Sequence, residues 1–198
     1  MKTIMIFSDM DGCIAKWNQD ASIEDTYEKD YFRQCEIDEE YKQGIDQFIA
    51  DKYKIMATNN YDVTVRFAFL SAVYGDEQAL AKRDWLNDHG YKNVPLITVP
   101  YGVCKREYLC ARFPESVGDV NILIDDYTKN LQSWNKNDIE MNFTGIKYLN
   151  GINHTNQTWQ GVTMDADAVS IYNTLNQITE YFAEAFNFRE EFDTDINH

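Results

Sequence analysis

The sequence is poor in basic residues, which excludes one large class of partner. It has 18 Lys and Arg against 33 Asp and Glu, which gives a formal net charge of −15. Binding to a nucleic-acid polymer needs clustered Lys and Arg, so this balance argues against such a partner. An acidic protein can still bind one small phosphate where a metal ion and a few cations supply local positive charge.

Metal-binding cysteine motifs and long apolar runs are also missing. The four cysteines form no CxxC pair, and no histidine lies at a spacing typical of zinc. We therefore expect reduced thiols and no zinc. The opening segment MKTIMIFSDMDG contains two carboxylates and does not fit a secretory signal, and no apolar run approaches the roughly 20 residues of a membrane span. These absences predict a cytoplasmic protein with no membrane partner.

The composition that remains is that of an ordinary folded protein. The chain has 198 residues and a hydrophobic share of 44%, which suits one domain, residues 1–198, with a real core. Short apolar runs alternate with stretches of helical spacing. This alternation predicts an α/β protein with a right-handed, mostly parallel central sheet.

The apolar pattern also places the elements along the chain. The predicted strands are residues 3–8, 53–58, 94–99 and 119–124, followed by strand and loop in FTGIKYLNGIN. The predicted helices are residues 37–52, 62–90, 104–113, 128–135 and 166–188, followed by an acidic, frayed tail over residues 190–198. The polar, acidic stretch over residues 16–35 has no clean period and predicts a small early insertion that leaves the core.

Acidic and other polar residues follow the predicted strands. In open parallel sheets, ligands bind outside the carboxyl ends of the strands. The residues placed there are Asp9, Asp11, Gly12, Thr58, Asn59, Lys105, Asp125 and Asp126. A group of carboxylates at one edge is unstable without a cation, and Mg²⁺ is the hard ion that suits oxygen ligands. The sequence therefore predicts a Mg²⁺ site at this edge.

This ordered set resembles the four motifs of the haloacid dehalogenase (HAD) superfamily of phosphatases. The matching segments are IMIFSDMDG, KIMAT, Lys105 at the start of a helix, and NILIDDY. A single DxDG would be weak evidence, whereas four motifs in the right order over roughly residues 4–127 are specific.

The resemblance implies a three-layer, Rossmann-like fold with a small helical cap insertion, residues 13–50, that includes the helix leading to strand two. It also implies a Mg²⁺-dependent phosphatase that works through an aspartyl-phosphate. Asp9 would be the nucleophile, and Asp11 would protonate the leaving group and later deprotonate water. The implied phosphate-binding residues are Gly12, Thr58, Asn59 and Lys105. The implied metal ligands are Asp9, Asp11 through its main-chain carbonyl, Asp126 and Asp125. Asp126 is the first choice of the acidic pair, but the sequence does not order the two.

Each of these assignments has a simpler alternative. Asp11 and Gly12 could form an ordinary turn, and the acidic pair could cap a helix. Thr58 and the two asparagines after it could simply form a turn. Arg106 and Lys82 compete with Lys105 for the role of the cation.

Within the superfamily, the motif pattern is most similar to 5′(3′)-deoxyribonucleotidase-like proteins. This similarity implies a small-molecule phosphate monoester as substrate, in particular a (deoxy)nucleoside monophosphate. The aromatic residues of the predicted cap, Trp17, Tyr27, Tyr31 and Phe32, could stack on a base or fill a miniature core. A small cap leaves the site open or closed by a second subunit, as in a homodimer. The alternatives are a broad-specificity sugar-phosphate phosphatase and a non-catalytic protein that binds a metal or ligand.

Overall fold

The structure is a computed structural model that describes residues 2–18, 20–22, 24–28, 30–58, 63–137, 142–152 and 158–195, with side chains for all of these except 53–58, 136–137 and 187–195. The strands are β1 (Lys2–Ser8), β2 (Val63–Val73), β3 (Leu96–Pro100), β4 (Val120–Asp125), β5 (Lys136–Asn137), β6 (Asn142–Leu149) and β7 (Val162–Asp165). The α-helices are α1 (Glu39–Thr58), α2 (Asp76–Asp88), α3 (Lys105–Arg112), α4 (Thr128–Trp134) and α5 (Ala168–Asp195).

These strands form one sheet in the order β3-β2-β1-β4-β6, and β5 and β7 both pair with β6. Every pairing is parallel except that of β5 with β6. The central strand β1 has β2 on one side and β4 on the other, and Ser8 at its carboxyl end pairs with Ile124. The carboxyl ends of β1 and β4 are therefore neighbours, and the predicted α/β class is confirmed.

Hydrophobic clusters cover both faces of the sheet. On one face, Ile4 and Ile6 of β1 pack with side chains from α1, α2 and α5. On the other face, Met5 and Phe7 pack with side chains from α3 and α4. Successive side chains of a strand point to opposite faces, which explains why neighbours in β1 enter different clusters. The result is the predicted three-layer, Rossmann-like arrangement.

The second predicted strand is wrong. Residues 53–58 are the last part of α1, and the strand itself begins at Val63. A short apolar run does not by itself distinguish a strand from a buried helix. Here Ile49, Tyr53 and Met56 continue the helical spacing of α1, so the run belongs to the helix before it.

The first part of the predicted helix 62–90 is wrong for a related reason. Residues 63–73 are β2, and α2 begins only at Asp76. β2 lies between β1 and β3 and is mostly buried in its second half, so its apolar residues do not alternate cleanly there. Its composition, VTVRFAFLSAV, is rich in the β-branched and aromatic residues that favour strands.

Most other elements lie where the sequence predicts them. The strands 3–8, 94–99 and 119–124 correspond to β1, β3 and β4, and the helices 104–113 and 128–135 to α3 and α4. The predicted frayed tail is wrong for residues 190–195, which continue α5 because no Gly or Pro interrupts it; residues 196–198 lie outside the described residues. None of the helices that the structure describes combines the length and the apolar character needed to cross a bilayer.

The segment between β1 and α1 is an excursion from the sheet over residues 13–38. Its described residues include two single-turn 3₁₀ helices, Asp25–Tyr27 and Phe32–Gln34. Helix α1 instead belongs to the core, where a Cβ at Gly44 would lie 2.7 Å from the Ile171 Cβ of α5. The excursion is thus shorter than the predicted insertion 13–50, and its role as a cap stays a prediction.

Candidate functional site

Three carboxylates meet where β1 and β4 end. Asp9 follows β1 directly, Asp125 is the last residue of β4 and Asp126 comes next. The Asp9 amide donates to the Ile124 carbonyl oxygen over 2.8 Å, which joins the two strand ends. Carboxylate oxygens of the three acidic residues all lie within 4.8 Å of one another. Both members of the acidic pair therefore lie close to Asp9.

Lys105 is the cation beside these acids. It is the first residue of α3, and its Nζ lies 2.8 Å from Asp9 Oδ2 and donates to Asp125 Oδ2 over 2.7 Å. Burial disfavours its charge, but the two carboxylates outweigh burial and raise the pKa of Lys105 above its ordinary value. Its rival Arg106 points elsewhere and donates to the Trp134 carbonyl oxygen over 3.2 Å.

The acidic pair is buried and crowded. Burial raises the pKa of Asp125 to about 6, with Lys105 opposing the rise and Asp9 adding to it. Burial, followed by the charges of Asp125 and Asp9, raises the pKa of Asp126 to about 7. Carboxylates that raise one another's pKa in this way are stabilised as anions by a nearby cation.

The donor set fits Mg²⁺, because the cluster offers oxygen ligands and more negative charge than Lys105 neutralises. Asp9, Asp125 and Asp126 are the residues that would hold the ion. Asp125 is fixed in place by further contacts, since it accepts hydrogen bonds from the Tyr127 amide over 2.8 Å and from Asn130 Nδ2 over 2.9 Å. A bound Mg²⁺ would supply positive charge for a phosphate group at this edge.

The side chain of Asp11 points toward β2 and away from this cluster. Its Oδ2 accepts a hydrogen bond from Ser71 Oγ over 3.0 Å and forms an ion pair with Lys82. Lys82 is only 1% exposed, and it also donates to Ser71 Oγ and to the Ala72 carbonyl oxygen, each over 2.8 Å. All three ammonium protons of Lys82 therefore have acceptors. The predicted contact of the Asp11 main-chain carbonyl with a metal stays a prediction.

Sequence reasoning missed Ser71 because it placed strand two too early. With β2 where the structure has it, Ser71 is a hydroxyl near the carboxyl end of a strand, which is the feature that singled out Thr58. The sequence offers Lys82 only as a rival of Lys105. Its partner is Asp11, which no spacing in the sequence indicates.

The structure does not bring Thr58 to this edge of the sheet. Thr58 is the last residue of α1, and the strand that follows begins at Val63, which pairs with Lys2 at the opposite, amino end of β1. Asn59 lies outside the described residues. The predicted phosphate-binding role of Thr58 rested on a strand that is a helix, so it loses its basis.

Gly12 allows a close approach of the loop after β1 to Asp126. Its φ is 72°, in the left-handed region that favours glycine. A Cβ there would clash with Asp126 Oδ2 and with Trp17 Nε1. Gly12 therefore lies at a position where a side chain would not fit, and its role in phosphate binding stays a prediction.

The acidic pair predicts a pH-dependent response to Mg²⁺. The folded pKa values of about 6 and about 7 for Asp125 and Asp126 exceed the value of about 3.9 for an unfolded Asp. The folded protein therefore binds more protons between about pH 4 and pH 7, and these groups lower the stability of the metal-free protein as the pH rises through that window. Mg²⁺ should replace the lost protons and stabilise the protein more at pH 8 than at pH 5.

Thermal unfolding with and without MgCl₂, at matched ionic strength, measures this response. At 100 times its dissociation constant, Mg²⁺ adds about 2.7 kcal/mol, so Tm at pH 8 should rise by roughly 5–10 °C. The variant Asp126→Asn should lose most of that rise. An equal rise at both pH values would contradict the expectation.

No protein-family model, no curated protein and no solved structure matches the chain. Three of the four sequence motifs, IMIFSDMDG, Lys105 and NILIDDY, lie at a strand end or a helix start, whereas KIMAT lies in α1.

Proposed function

We propose that the protein is a Mg²⁺-dependent phosphatase of the HAD type, which hydrolyses phosphate monoesters through an aspartyl-phosphate at Asp9. The observation that carries this proposal is the environment of Asp9. Its carboxylate lies 2.8 Å from the buried Lys105 ammonium and beside two further carboxylates. A nucleophilic carboxylate next to a cation and a divalent-ion site is the arrangement that attack on a phosphate dianion requires.

The reaction has two displacements at phosphorus. A carboxylate oxygen of Asp9 bonds to phosphorus as the ester P–O bond breaks, and Asp11 gives a proton to the leaving oxygen. Water then attacks phosphorus and loses a proton to Asp11, while the bond to Asp9 breaks and releases phosphate. In the described conformation Asp11 is paired with Lys82, so these proton transfers require that ion pair to open.

Lys105 serves this chemistry by stabilising charge. Its ammonium contacts Asp9 and Asp125 while α3 holds it in the interior. A preorganised cation in a buried site stabilises developing negative charge more strongly than one in water. Mg²⁺ bound by Asp9, Asp125 and Asp126 would add charge neutralisation on the phosphate.

The proposed substrate is a 5′-(deoxy)nucleoside monophosphate. Three exposed tyrosines support a leaving group that carries a planar base. Tyr74 directly follows β2 and Tyr101 directly follows β3, so both lie at the carboxyl end of the sheet, and the Tyr27 ring contacts that of Tyr74. The rings of Tyr74 and Tyr101 stack with centroids 4.2 Å apart, and Tyr27 and Tyr74 line a cavity of about 370 Å³. Two other aromatics of the excursion, Tyr31 and Phe32, are buried in the core and do not serve this role.

A substrate panel tests the activity and the substrate separately. We expect phosphate release from deoxynucleoside monophosphates, loss of release with EDTA, and recovery when Mg²⁺ is added back. Initial rates on nucleotides and on sugar phosphates should differ by at least about tenfold in favour of nucleotides. Comparable rates on the two substrate classes would contradict the nucleotidase and support a broad-specificity phosphatase. No release from any ester would leave a non-catalytic protein that binds a metal or ligand.

A further inference from the structure

Asp126 is held by donors from two distant parts of the chain. Trp17 Nε1, in the excursion after β1, donates to Asp126 Oδ2 over 3.2 Å. Asn150 Nδ2, directly after β6, donates to the same oxygen over 3.1 Å and to the Gly12 carbonyl oxygen over 2.8 Å. The loops that follow β1, β4 and β6 therefore meet at one carboxylate oxygen.

These contacts counteract the electrostatic repulsion among the three carboxylates. Asp9 and Asp125 carry like charges next to Asp126, so repulsion favours a rotamer of Asp126 that turns away from them. Two N–H groups on Oδ2 fix the carboxylate in the orientation that keeps its oxygens with those of its neighbours. The missing Cβ of Gly12 makes room for this arrangement, because Asp126 Oδ2 and Trp17 Nε1 occupy the space.

We propose that Trp17 and Asn150 are positioning residues of the cation site, which hold Asp126 ready for Mg²⁺. Hydrogen bonds to a ligating carboxylate commonly raise metal affinity by 10- to 100-fold. The identity of the ion as Mg²⁺ rests on the proposed function. The inference does not require that the protein turn over any substrate.

The test is direct binding of Mg²⁺ to metal-free protein by isothermal titration calorimetry. Trp17→Phe keeps an aromatic ring but lacks the N–H donor, and Asn150→Ala removes the amide. Each should weaken Mg²⁺ binding by about 10- to 100-fold. The matched control Trp159→Phe should bind like the wild type, because its N–H donates to the Val162 carbonyl oxygen over 2.9 Å and not to the acidic cluster. Asn87→Ala, at an exposed position of α2, is the control for Asn150.

The outcomes separate this inference from the phosphatase. Unchanged Mg²⁺ affinity in Trp17→Phe, shown to be folded by circular dichroism, would overturn the inference even if Asn150→Ala proved unstable. A wild-type protein that binds no Mg²⁺ would overturn the cation site and this inference together. Weakened binding in both variants, in a protein that releases phosphate from no ester, would support the inference and overturn the phosphatase.

Discussion

The variant Asp9→Asn is expected to abolish phosphate release, with a loss of roughly 10⁴- to 10⁶-fold in kcat. An amide is a poor nucleophile and cannot form the aspartyl-phosphate. The fold should survive, because Asn can keep the hydrogen bond that Asp9 Oδ1 accepts from the Met10 amide over 2.8 Å, and Lys105 keeps its contact with Asp125. Phosphate release under saturating Mg²⁺ measures the loss, and circular dichroism verifies the fold.

Two other Asp→Asn variants provide the comparison for this result. Asp88→Asn, at an exposed position of α2, should leave the rate unchanged. Asp11→Asn should slow turnover by about 10²- to 10⁴-fold, the usual contribution of general acid–base catalysis, while Asp9 can still be phosphorylated by an ester with a good leaving group. Phosphate release by Asp9→Asn at a rate close to that of Asp88→Asn would rule out Asp9 as the nucleophile.

Lys105→Met is expected to have the second largest effect, on activity and stability together. Without the ammonium, Asp9 and Asp125 face each other with no positive charge between them. Removing one partner of a buried ion pair costs about 3–5 kcal/mol of unfolding free energy. Loss of a cation that stabilises phosphoryl transfer should lower kcat by about 10³-fold or more. Urea unfolding and phosphate release measure the two effects.

The neighbouring residue supplies the control for Lys105. Arg106→Met removes a half-buried cation from the same helix that contacts the Trp134 carbonyl oxygen and the Phe143 ring rather than the acids. It should cost stability through lost packing and leave kcat nearly unchanged. Lys105→Arg keeps the charge and should retain more stability than Lys105→Met. Equal rates for Lys105→Met and Arg106→Met would remove Lys105 from the mechanism.

Sequence reasoning located the acids and Lys105 because each is tied to a local signal. Asp9 and the pair Asp125-Asp126 directly follow apolar runs that are buried strands, and such runs end where polar residues begin. Lys105 starts a helix after a third such run. A local pattern predicts the place of these residues, because parallel strands bring their carboxyl ends to one edge whatever the details of packing.

The same reasoning failed at strand two for a physical reason. Residues 53–58 carry an apolar run that suits either a strand or the end of a helix, and α1 continues through it. Because strand two was predicted too early, the hydroxyl expected at its carboxyl end was assigned to Thr58 instead of Ser71. Pairing with β1 is what identifies β2, and that pairing joins residues about 60 positions apart in the chain.

The sequence by itself determined the α/β class, the acidic edge of the sheet and the cation that starts α3, because these follow from apolar runs and from the residues next to them. Only the tertiary structure decided the partners of each carboxylate. It pairs Asp11 with Lys82 and places Trp17 and Asn150 on Asp126, across separations of 71, 109 and 24 residues. Such contacts depend on how loops and helices pack around the sheet, and side chains that meet only in the folded chain leave no spacing in the sequence to reveal them.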